Sequence, residues 1–314
     1  MKSFWTMLAV LVVFAAPAAA QVAGTGDVIA EVRAAIAESG LDRADAIFTK
    51  RRAEQGARPE VVEALSWLGR GALAAGQLDR ANRYANQAQQ LAMTALGRRR
   101  LVDEHLVTAL GNAIEVQAQV RVQRGDRAEA IAVLQRELET YHDTPIHKRI
   151  QKNINLLSLE GHPAPALDTS EFIGPAPPPL TQLKGKVVVL FFWAHWCPDC
   201  KIEGPILAKL LAKYRAQGLA IVAPTERYGY GEGGATITPA DELRYIVRIR
   251  DTYYPFLAEV PVPVSAANHK LYGVSSTPTI VIADRQGIVR LYHPGRMTEE
   301  ELEAQVRGLL GSGI

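Results

Sequence analysis

At 314 residues the chain exceeds the size at which a single hydrophobic core usually stops growing, so two domains are expected. Its 48% hydrophobic and 22% charged content excludes wholesale disorder. The formal charge is +2, the arginines are scattered apart from Arg98, Arg99 and Arg100, and no basic stripe interleaves with aromatics, which removes nucleic acid as a partner.

Residues 1–20 read as a secretory signal peptide: Lys2, an apolar run from Met7 to Ala16, then Pro17 and the small residues Ala18, Ala19 and Ala20 before Gln21. Cleavage is expected after Ala20, giving an exported, periplasmic protein. The run is shorter than the roughly 20 apolar residues of a membrane span, so contact with the membrane is expected only if the segment stays uncleaved as an anchor. No cysteine adjoins the cleavage position to carry a lipid.

Residues 24–158 are predicted to be an all-α domain. Prolines 59 and 145 stand at helix breaks, and apolar residues recur at helical spacing, as in Val61, Leu65, Leu68 and Ala72 or Ile131, Leu134 and Leu138. Three turns resemble one another, opening at Gly40, Gly76 and Gly125, each with a small residue early in the next helix. With Leu68, Gly69, Gly76, Ala81 and Ala88 at the small and apolar positions, the region weakly resembles a tetratricopeptide array, although the glycines are unequally spaced against a period of about 34 residues. Two readings stay open: a concave surface for a partner protein, or a helical bundle packed on its neighbour.

From residue 160 to 314 the pattern becomes α/β. Prolines cluster between Pro163 and Pro179. Val187 to Trp193 is a continuous apolar run suited to a strand buried on both faces. A helix over Pro198–Gln217, a strand over Leu219–Ala223, a helix over Ala240–Tyr253, strands over Thr279–Ile282 and Ile288–Tyr292 and a final helix over Thr298–Leu310 complete the predicted order. The stretch from Thr225 to Thr236 reads as a mobile glycine-rich loop. It lacks the Gly-Lys-Ser or Gly-Lys-Thr ending of a phosphate-binding loop, and Tyr228 and Tyr230 are expected in solvent rather than on a substrate.

The chain has two cysteines, Cys197 and Cys200, whereas exported proteins usually spread cysteines along the chain as structural bridges. A bridge across two intervening residues closes a very short loop and stabilises little, so the pair is better explained by chemistry. It stands where a buried strand hands over to a helix. Unpaired N–H groups and the helix dipole favour a thiolate there, marking Cys197 as the nucleophile. Pro198 suits the first helical turn. Cys200, one turn further in and less exposed, is placed to resolve a mixed disulfide. A zinc site needs two more ligands, and neither a second cysteine pair nor a His-x-x-x-His is present; no cofactor is implied.

Several motifs in order carry a resemblance to the TlpA and ResA group of thioredoxin-like proteins over roughly residues 160–314. They begin with Gly161-His-Pro-Ala-Pro165 and Leu183-Lys-Gly-Lys186 and continue with Trp196-Cys197-Pro198-Asp199-Cys200, Glu203 and Pro205. Tyr272-Gly273-Val274, Thr277-Pro278-Thr279 and Asp284-Arg-Gln-Gly287 follow. The resemblance implies an α/β thioredoxin-like domain with a cis Pro278 facing the cysteines and the backbone of Thr277 presented to an extended substrate. Trp196, Thr277 and Pro278 are thus the expected substrate contacts. Glu203 is implied to move protons to and from Cys200, with its pKa raised by burial, and Pro205 to kink the helix. Disulfide-bearing client proteins, apocytochromes among them for some members of the group, and an upstream thiol electron donor are the implied partners.

One departure shapes the expected chemistry. Ordinary thioredoxins carry a buried aspartate six residues before the first cysteine, where this chain has Phe191, which shifts proton handling onto Glu203. Asp199 opposes the thiolate, suggesting a reducing rather than an oxidising centre; His195 favours the thiolate if protonated but is more simply a surface histidine. The sequence-level rivals are a disulfide oxidase or isomerase, a peroxidase and a non-enzymatic helical adaptor. Against the peroxidase, Ala194 and Leu190 replace the threonine or serine and the proline of a peroxidatic motif.

Overall fold

The computed structural model describes residues 27–97 and 103–311. The signal-like segment, its cleavage position after Ala20 and the run Arg98 to Arg100 lie outside the described residues. Seven helices come first: α1 (Val28–Glu38), α2 (Leu41–Gln55), α3 (Pro59–Ala74), α4 (Leu78–Leu96), α5 (Glu104–Gln123), α6 (Arg127–Thr140) and α7 (His147–Ser158). Asp27 and Asp103 cap α1 and α5 by accepting from backbone N–H groups of the first turn. Pro59 opens α3, and Pro145 stands in the connection before α7.

The principal contacts run from each helix to the next and along the odd-numbered row α1, α3, α5, α7, a two-layer helical stack. Small residues permit it. Ala81, Ala85, Ala88 and Ala92 form the buried stripe of α4, and Gly69 of α3 lets Ala85 N come within 3.6 Å of where its Cβ would stand. Val61, Leu65, Leu68 and Ala72 fill the same core.

The second domain contains β1 (Phe172–Ile173), β2 (Val187–Phe192), α8 (Pro198–Tyr214), β3 (Leu219–Val222), α9 (Pro239–Tyr253), β4 (Val262–Pro263), α10 (Ala266–Leu271), β5 (Thr279–Ala283), β6 (Val289–Pro294) and α11 (Glu299–Gly311). The main sheet has the order β3-β2-β5-β6. β2 runs parallel to β3 and antiparallel to β5, and β5 antiparallel to β6. This is the thioredoxin-like α/β architecture, preceded by an all-α domain. β2 is apolar throughout because both faces are covered: Val187, Val189 and Phe191 enter the core with α8 and α11, while Val188, Leu190 and Phe192 enter a second core with Tyr272 and Tyr292.

The sequence reading missed three short elements, β1, β4 and α10. The first two pair only with each other, too briefly to leave an alternating pattern. The predicted helix over 198–217 ends as a 3-10 turn, Arg215–Gln217, before Gly218 in the left-handed region.

The two domains meet along α7. Leu157 belongs to the helical core and Leu159 to the sheet core. Asn155 donates to the Leu271 carbonyl at 3.4 Å, and Lys148 pairs with Glu226. Gly273, at φ 62°, sits so close to α7 that a Cβ there would lie 2.3 Å from Lys152 N.

Candidate active site

Cys197 follows the end of β2 and is the N-cap of α8, with Pro198 in the first turn. Its Sγ accepts from Cys200 N–H at 3.0 Å, so a helix-end donor and the helix dipole converge on that sulfur. The two cysteines are joined in a disulfide, and in this oxidised state both are buried, at 1% and 0% exposure. Asp199 is exposed beside them.

The Thr277–Pro278 peptide bond is cis, the geometry that the resemblance implies, and the Thr277 carbonyl oxygen lies 3.3 Å from Cys197 Sγ. Trp196 is 44% exposed, a large apolar surface next to the sulfur. The site residues expected from the sequence, Trp196, Cys197, Cys200, Thr277 and Pro278, therefore converge at the junction of β2, α8 and the loop before β5.

Glu203, one turn beyond Cys200, is fully buried. Its Oε2 accepts from Met297 N–H at 3.2 Å, while Oε1 is buried without a partner. Burial pushes its pKa up to about 7, aided by the negative charges of Asp199 and Glu301 and opposed by the Met297 hydrogen bond and Arg296. A carboxyl group poised there can hold or release a proton at neutral pH. Phe191 occupies the centre of β2 with its ring 6.2 Å from that of Tyr254, so that position offers no titratable group.

Two expectations are corrected. His195 is not a surface histidine: it is 1% exposed, and its Nε2 lies 3.2 Å from Glu242 Oε1 on α9. The rings of Tyr228, Tyr230 and Tyr245 pack edge-on around it at 5.5, 5.5 and 5.1 Å. Burial lowers its pKa against the pull of Glu242, so the neutral imidazole is favoured and thiolate stabilisation by a protonated His195 is not supported. The loop tyrosines are not both in solvent either. Tyr228 packs on Trp196 at 5.5 Å and buries its hydroxyl, and Glu242 accepts from the N–H groups of Tyr228 and Gly229. Glycine content signals backbone freedom but is blind to a carboxylate arriving from another helix.

The site also contains residues that the sequence did not single out. Glu226, 3% exposed, is paired with Lys148 of α7, and burial raises its pKa despite that cation. No local motif signals this pair, since its members come from different domains.

Residues 161–226 match the AhpC/TSA family. Over 127 residues the chain is 33% identical to the thioredoxin-like protein YneN of Bacillus subtilis, a match covering 40% of this chain and 67% of that one. Over 128 residues it is 30% identical to the thiol-disulfide oxidoreductase ResA of Bacillus thuringiensis, covering 41% and 66%. The chain thus spans about two thirds of the length of these relatives. Among solved structures, a thiol-disulfide isomerase from Corynebacterium glutamicum is similar at 23% identity and a TM-score of 0.39, over 48% of this chain and 98% of that one.

Proposed function

We propose that this chain, which belongs to the thioredoxin-like family of thiol-disulfide oxidoreductases, is an exported reductase of disulfides in partner proteins. The observation that carries the reading is Cys197 at the N-terminus of α8, 3.3 Å from the Thr277 carbonyl, with the protonatable Glu203 one turn beyond Cys200.

In the reduced protein, the Cys197 thiolate attacks one sulfur of a client disulfide, forming a mixed disulfide and releasing the other client sulfur as a thiolate. Cys200 then gives its proton to the Glu203 carboxylate and attacks Cys197 Sγ. The second client sulfur leaves and takes that proton from Glu203, and the first, released as a thiolate, takes one from solvent. The client has gained two electrons and two protons, and the pair is left in the disulfide state described above. A thiol donor protein restores the dithiol by the reverse exchange. Export rests on the signal-like N-terminus; no helix among the described residues is long and apolar enough to cross a membrane.

The equilibrium reduction potential of the Cys197–Cys200 pair, titrated against glutathione, tests the direction. We expect a value near or below about −270 mV, that of thioredoxin. A value near about −120 mV, that of a dedicated oxidant, reverses the assignment. Replacing both cysteines with serine should abolish insulin reduction; a parent protein no more active than this variant would return the chain to the helical-adaptor reading.

A further inference from the structure

Beside the cysteine pair lies a cleft of ≈ 210 Å³ shared between the two domains, with Trp196, Tyr228 and residues 274–277 on one side and Pro145 and Lys148 of the helical domain on the other. Resting on the reductase reading, we infer that the Pro145–Lys148 corner is a specificity element that selects polypeptide disulfides over small ones, by receiving an uncharged side chain next to the client cysteine.

Four observations support this. Thr277 both lines the cleft and places its carbonyl 3.3 Å from Cys197 Sγ, so the flank of any chain joined to that sulfur starts at the edge of the cleft. The walls are suited to a neutral occupant: Trp196 is 44% exposed, Pro145, Tyr228 and Val274 add apolar surface, and the Lys148 charge is matched by Glu226. The cleft gains no polar group from Tyr228 or Thr277, whose hydroxyls have no exposed surface. Finally, the corner is held in place, because Lys148 is fixed by a carboxylate 3% exposed and α7 is locked against Gly273. The volume lies below the roughly 300–1,000 Å³ of drug-sized ligand pockets and suits one side chain of an extended segment. A small disulfide reaches the sulfur without entering it.

The experiment compares the reduced full-length protein with its Pro145→Trp and Ser275→Trp variants, which fill the cleft from opposite sides at exposed positions. Second-order rates are measured with insulin and with bis(2-hydroxyethyl) disulfide, and near-UV circular dichroism checks folding. We expect the insulin-to-small-disulfide rate ratio to fall tenfold or more in both variants. A ratio unchanged within twofold overturns the inference, whether the individual rates hold or fall together, and leaves the reductase reading standing. If the unaltered protein reduces neither substrate, the reductase reading itself fails and the inference with it. Should Pro145→Trp not fold, the Ser275→Trp ratio alone decides.

Discussion

Glu203, the proposed proton acceptor for Cys200, carries a cost in stability. Its pKa is about 7 in the folded protein against an ordinary 4.5, so the folded state binds the extra proton over that interval. Stability associated with the protonated carboxyl is fully present below about pH 4.5 and is lost as pH rises through about 7. The shift corresponds to roughly 3 kcal/mol of stability missing at alkaline pH. Glu203→Gln keeps the shape without the charge, so it should match the parent at pH 4.5 and exceed it by about 2–3 kcal/mol at pH 8. Urea titration at the two pH values checks this, and a difference that does not change with pH contradicts the raised pKa. Resolution of the mixed disulfide should slow on the order of 10²-fold in the same variant, visible in quenched reactions as accumulated Cys197–client adduct. This residue could be picked out in the sequence because the resemblance places a glutamate one helical turn beyond Cys200. Its bond to Met297 N–H could not, since that donor comes from a segment 94 positions away.

Among the elements, β2 and α8 were the most legible, for a physical reason. A strand covered on both faces must be apolar without alternation, and a helix opening on Cys197 and Pro198 carries its own start signal. The segment between β3 and α9 was misread because what orders it is non-local. Glu242, placed by α9, accepts from two loop N–H groups and meets His195, 47 positions away. Removing it with Glu242→Ala strands the His195 imidazole and the Tyr228 N–H, each costing about 1–3 kcal/mol when buried and unsatisfied, while the exposed Gly229 can turn its N–H to water. We expect a destabilisation of about 2–4 kcal/mol, with hydrogen exchange accelerating first at Tyr228 and Gly229. If exchange there stays as slow as in the parent, the carboxylate is not what orders the loop.

At the scale of the whole molecule, the sequence divided the chain into a helical and an α/β part but gave no means of seeing how they join. Periodicity reports which face of a helix is apolar, and α7 uses its length for both domains, burying Ile150 and Leu157 in the helical core while Lys148 and Asn155 reach partners in the other. Gly273 marks the closest approach. A methyl group there would meet Lys152 N at 2.3 Å, Gln151 C at 2.6 Å and Lys152 Cα at 2.7 Å, all backbone atoms that cannot rotate away. Its φ of 62° adds strain for any residue with a Cβ, about 1–2 kcal/mol, to an overpacking cost of about 1–3 kcal/mol. Gly273→Ala should therefore destabilise the protein by about 2–5 kcal/mol in urea. Because the clash falls on the domain junction, hydrogen-exchange protection should drop in α7 and around residues 274–277 while β2 and β5 keep theirs. Equal loss across β2, β5 and α7 would mean that the two domains unfold as one unit; unchanged protection throughout would mean that α7 does not rest on Gly273 in solution.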